Sequence, residues 1–210
     1  MPVKNYVYIS DAKIDMFYDQ IASSDVEKTG AEYGLDIKIL KWVGKRETEK
    51  VITRMTKLER VVDFMQSSSK IGTVDAPLTY FAGSLDMRWG SLFGDMALFV
   101  GKTSQTGVVL GGSVRHIIGE SSDGVPATSA LPAIFSVFKK HTDAEILHYD
   151  RYSGVETSTP ERDLQYAWEV AANFQAPTQR LEFLARNYLF GPVADKNILI
   201  GTPFYVALPD

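Results

Sequence analysis

The chain has 210 residues, of which 45% are hydrophobic and 23% charged, and it carries a net charge of -4. That balance describes a globular protein rather than a disordered one, and the excess of acid excludes sequence-blind binding to duplex nucleic acid, which runs on phosphate neutralisation. The complete lack of cysteine removes disulfides, thiolate metal sites and a cysteine nucleophile from consideration.

In chain order, "NYVYIS" (5–10) alternates and is rich in β-formers, so a strand is expected. "DAKIDMFYDQIAS" (11–23) places Ile14, Phe17, Tyr18 and Ile21 on one helical face, with Asp11 as N-cap. Residues 33–45 alternate around Leu35, Ile37 and Ile39 and predict a second strand; residues 47–68 carry Val51, Met55, Leu58, Val62 and Met65 at helical spacing. Three strand-like runs follow at 78–90, 95–103 and 107–119, joined by short polar turns, and predict an antiparallel meander with "KTSQTG" as a hairpin connection. "ESSDGVPATSALP" (120–132) reads as a loop over the candidate site, 133–152 as helical at its start, and 151–165 as polar and exposed. A helix is expected over 176–191, from Leu181, Leu184, Ala185 and Tyr188 and the stop at Gly191-Pro192, and a closing strand over 197–208. Together these predict one α+β domain, residues 1–210, with a mixed, largely antiparallel sheet and helices mainly on one side.

Alternation within 79–89 puts Phe81, Leu85, Met87 and Trp89 on one face and Tyr80, Ser84, Asp86 and Arg88 on the other. The polar face is either open to water or turned toward a ligand. The stretch "LGGSVRHIIG" leaves a second alternative. In a regular strand His116 shares a face with Val114 and Ile118 and belongs to the core. A bulge at Gly111-Gly112 would instead turn it outward, beside Ser113, and let a ligand approach the backbone. Ser10, Asp11 and Lys13 cluster where the first strand passes into a helix, a place where ligands bind in α/β units, although a helix cap with a local ion pair explains the same residues. The three histidines, His116, His141 and His148, form no HExxH or HxH pair, so no metal is expected. There is no GxGxxG, P-loop or GxSxG signature, so neither a dinucleotide cofactor nor a serine triad is indicated. The N-terminus lacks the apolar core of a signal peptide and no apolar run approaches the roughly 20 residues needed to span a bilayer. A cytoplasmic protein with no membrane partner is expected.

The segments "YVYISDAKIDM", "GTVDAPLTYFAGSLDMRWG", "LGGSVRHIIG", "RLEFLARNYLFGP" and "ILIGTPFYVAL" together resemble a family of poorly characterised bacterial proteins of the prokaryotic immunity and conflict repertoire. That family is similar to proteins handling cyclic oligonucleotide second messengers, including ring nucleases linked to type III CRISPR systems. The resemblance implies a metal-independent phosphodiesterase acting on cyclic oligoadenylate or a related cyclic nucleotide, with no cofactor. His116, Lys13 and Ser113 would carry the chemistry, and Ser10, Asp11, Tyr80, Arg88, Trp89, Gly111, Gly112 and Arg115 would hold the ligand. Such a reaction orients a ribose 2′-hydroxyl in line with phosphorus while a base removes its proton and cations stabilise the phosphate. Tyr8, Tyr80 and Trp89 would stack adenines. Two other classes remain open: a sensor or sponge that binds such a ligand without cleaving it, and a structural adaptor of a defence complex. A symmetric ligand sits most simply on a two-fold axis, so a homodimer is expected.

Overall fold

A computed structural model describes residues 4–33, 53–68, 71–92, 96–119 and 160–209. They fall into two compact units, one drawn from Met1–Ser10 and Lys70–Asp210, the other from Asp11–Ser69. The expected strand at 33–45, apart from Tyr33, which ends a helix, the loop at 120–132 and the helix at 133–152 lie outside the described residues.

The first unit is built on strands β1 (Asn5–Ile9), β2 (Ile71–Gly72), β3 (Tyr80–Leu92), β4 (Met96–Lys102), β5 (Thr106–Ser113), β6 (Thr178–Val193) and β7 (Lys196–Leu208). The class is α+β with a mixed sheet, as expected: β5 runs parallel to β7 and β2 parallel to β3, and every other pairing is antiparallel. The β4–β5 hairpin forms across Lys102↔Gly107, and the Thr103 amide donates to the Thr106 carbonyl. Pairing then closes on itself. β3 pairs with β4, β4 with β5, β5 with β7, β7 with β6, and β6 again with β3. Five strands thus form a ring, with β1 on the far end of β7 and β2 on the start of β3.

The ring has two apolar faces, so β4, β5 and β7 are buried on both sides along much of their length, while β3 and β6 keep one polar face. One face gathers Tyr8, Phe81, Met87, Phe99, Leu110, Phe183 and Val206 into a filled core. The other carries Met96, Leu98, Val100, Val109, Ile198 and Ile200. These are covered by Leu164, Tyr166, Ala167 and Ala171 of a helix spanning Pro160–Asn173. Part of the stretch expected to be polar and exposed therefore begins this helix. Pro160 at the first position, where its missing N–H costs nothing, and Glu161 and Asp163 in the first turn favour a helix start there.

The helix expected over 176–191 is strand β6 instead. Leu181, Phe183 and Ala185 are buried in the inner core, Leu184 is buried on the opposite face, and Arg180 and Arg186 on that face are exposed. Leu184 interrupts the alternation beside a register shift between Leu184 and Ala185, and with Leu181, Ala185 and Tyr188 it leaves a spacing that imitates a helix. Gly191-Pro192 does not end a helix: β6 continues to Val193 and turns into β7 through two residues, with Ala194 at φ 54°.

The second unit holds helices α1 (Asp11–Tyr33) and α2 (Arg54–Ser68); the helix of the first unit is accordingly α3. Asp11 is the first residue of α1 rather than its flanking cap, and it pairs with Arg54 at 2.5 Å, while Asp15 pairs with Lys57 at 2.6 Å. Both partners advance together along the two helices, so α1 and α2 run parallel. Ile14, Ile21, Leu58, Val61 and Met65 are buried.

Candidate functional site

The stretch around Gly111-Gly112 has no bulge. β5 keeps a regular register with β4 through Leu98↔Gly111, Ala97↔Gly112 and Met96↔Ser113. The strand then ends in one 3-10 turn, Val114–His116. Ser113 caps that turn: its buried Oγ accepts a hydrogen bond from the Arg115 amide at 3.3 Å. The Ile117 amide donates to the Val114 carbonyl at 3.0 Å, and the Ile118 amide to the Val7 carbonyl of β1 at 2.9 Å. Val114 and His116 point into the protein and Arg115, between them, is exposed. His116 is only 4% exposed, its ring edge-on to Tyr8 at 5.8 Å. Of the two alternatives for His116, the core position is the one observed.

A bulge does occur, in β1, one strand beyond β7. The register of β1 on β7 shifts between Tyr6 and Tyr8. That shift places Tyr6 beside Tyr205, edge-on at 5.6 Å, and sends Tyr8 to the opposite face, where it is fully buried against Phe99 and His116. Tyr8 is therefore not open to an adenine. Gly112 is needed for this arrangement, because a Cβ there would fall 2.1 Å from the Tyr8 hydroxyl.

The remaining expected ligand contacts are spread out. Arg88 lies at the C-terminus of α3: Nη2 donates to the Ala171 carbonyl at 3.0 Å and Nη1 to that of Phe174 at 2.6 Å. A guanidinium suits that end, where helix carbonyls lack partners and the macrodipole is negative. Trp89 stacks on Phe99 at 5.8 Å and 11°, and its Nε1 donates to Gln179. Tyr80 is edge-on to Phe204. Ser10 is buried, with its amide donating to the Phe204 carbonyl. Asp11 and Lys13 belong to the second unit. The structure thus brings Gly112, Ser113, Arg115 and His116 together with Tyr8, whereas Arg88 and Trp89 serve other contacts.

The polar face of β3 extends across β6, β7 and β1. Arg180 pairs with Asp86 at 3.5 Å and donates to Ser84; Lys4 pairs with Glu182 and lies over the Tyr205 ring at 5.6 Å. Burial works to lower the Lys4 pKa, but its hydrogen bond to Glu182 and the nearby negative charge outweigh that and raise it above 10.5. Burial raises Tyr205 above 10.0 against the pull of Lys4. This cluster was not foreseen, since β6 had been read as a helix and no strand face could be assigned to Glu182. Among the described residues no three imidazole or carboxylate groups gather as metal ligands, and no helix is long and apolar enough to cross a membrane.

The fold and the turn define a small α+β protein built on a closed, mixed ring of strands, with one exposed arginine presented between two buried anchors. The chain belongs to the family of unknown function DUF7019, which matches residues 4–210. No curated protein and no solved structure matches it.

Proposed function

We propose that this protein is a binding module for a small anionic ligand, contacted by Arg115, with cyclic oligoadenylate or a related cyclic nucleotide as the ligand class. The observation that supports it is the 3-10 turn: Val114 and His116 are buried while Arg115 between them is exposed on a fixed backbone. A guanidinium held in this way suits phosphate, because its fork binds two oxygens and little backbone freedom is lost on binding. The ring core is filled with aromatic and aliphatic side chains, which favours a ligand at the surface. A symmetric ligand would call for a homodimer with one Arg115 from each subunit.

A second reading is a metal-independent phosphodiesterase, a ring nuclease of prokaryotic antiviral defence, with His116 as base assisted by Ser113. It is favoured by the presence of Ser113 and His116 on the same turn as Arg115. It requires the imidazole to leave its buried position against Tyr8.

Incubation with a panel of cyclic di-, tetra- and hexanucleotides, with and without chelator, tests both readings when binding is followed by calorimetry and products by chromatography. Binding without products is the expected result. Chelator-resistant cleavage would replace the first reading with the second, and neither binding nor cleavage would remove both.

A further inference from the structure

We infer that Tyr8 is a positioning residue for the turn that carries Arg115, with Gly112 as the seat that admits its ring; this rests on Arg115 as the ligand contact proposed above. Three observations converge on the Tyr8 side chain. The bulge in β1 is what turns it inward, since Tyr6 on the other side of the shift faces outward. Its ring is packed edge-on against His116, the last residue of the turn. Its hydroxyl occupies the space that any side chain at residue 112 would need. The backbone on either side is tied to the same turn: the Ile118 amide donates to the Val7 carbonyl, and Tyr8 itself bridges to Ile117. The turn is therefore clamped at its start by the Ser113 cap and at its end by β1, and the Tyr8 ring fills the space beneath it. A shift of that ring moves His116 and, with it, the backbone from which Arg115 projects.

Gly112→Ala tests this directly, because the new methyl group would stand 2.1 Å from the Tyr8 hydroxyl and 2.8 Å from the ring carbon that bears it. Amide exchange of Ile117 and Ile118 should become about tenfold faster as the turn loosens. Affinity for cyclic tetraadenylate should fall about tenfold as preorganisation is lost. Adding Tyr8→Phe removes the closest atom and should reverse part of both effects, which a general loss of stability would not do. Should Gly112→Ala fail to fold, Tyr8→Leu alone withdraws the ring and is expected to speed the same amides. Unchanged exchange at Ile117 and Ile118 would overturn the positioning role, as would faster exchange with undiminished affinity. Wild-type affinity in Arg115→Ala would remove the ligand contact instead, while the exchange result still reports on the clamp.

Discussion

Removal of the Arg88 guanidinium should unlatch the end of α3. Arg88→Ala deletes two short hydrogen bonds from a charged donor, at 2.6 Å to Phe174 and 3.0 Å to Ala171, along with a long one at 3.5 Å to Ala172, and leaves those carbonyls at a helix end without their partner. Hydrogen bonds to charged groups contribute about 1.5–3 kcal/mol each, and the half-exposed setting argues for the lower end. The cation also offsets the negative end of the helix, worth roughly 0.3–1 kcal/mol. The sum is about 3.5 kcal/mol. At roughly 2–4 °C per kcal/mol for a chain of this size, Tm should drop by about 7–14 °C. Arg88→Lys keeps the charge but not the two-pronged geometry and should recover only about 1 kcal/mol. Thermal melts followed by circular dichroism measure the total, and hydrogen exchange at residues 171–174 shows whether the loss is local to the helix end. A normal melt with weakened ligand affinity would mean that Arg88 clamps phosphate, as its residue type first suggested. A normal melt with unchanged exchange would refute the capping argument.

Gly107→Ala would place a methyl group 2.5 Å from Trp168 Cζ3 and 2.9 Å from Ile198 Cδ1, forcing α3 away from the sheet. A loss of about 1–3 kcal/mol is expected from such overpacking, with a shift in tryptophan fluorescence, and an unperturbed spectrum and midpoint would contradict it. Lys4, Tyr188 and Tyr205 all have raised pKa values, so the fold prefers their protonated forms. Their contribution is complete below the ordinary values of 10.0 and 10.5 and is lost as pH climbs through the higher folded-state values. Melting midpoints measured from pH 8 upward should therefore fall only in the alkaline range beyond those values, and a midpoint that stays level there would count against the assignment. Asp11→Asn breaks a surface ion pair with Arg54, both side chains more than a third exposed. The change should cost no more than about 1 kcal/mol and shrink further in salt; a larger, salt-independent loss would show that the carboxylate does more than pair.

What the chain determines by itself is local. β1 and β3 were legible because side chains on alternating positions meet different surroundings, and β4 and β7 as continuous runs of β-forming apolar residues bounded by turns, patterns that need no knowledge of partners. The same alternation separated buried Phe81, Leu85 and Met87 from exposed Ser84 and Asp86. α3 was not expected, since 151–165 reads as polar and exposed, although Pro160 followed by acidic residues and Leu164, Ala167 and Ala171 at helical spacing are local signals for it. The end of β5 was foreseen as a site of irregularity at the glycine pair, but the regular register continues to Ser113 and the chain departs only at Val114. Tertiary structure alone decided the rest. β6 is a strand because β3 and β7 flank it along much of its length, and the Leu184 side chain, buried out of turn beside a register shift on β7, gives its sequence a helical spacing as well. Arg88 is a helix cap because α3, more than 70 residues further on, ends beside it. Gly112 is required because Tyr8, from the other end of the unit, fills the place of its missing side chain. Each of these depends on which distant segment arrives as neighbour, and spacing along the chain carries no record of that.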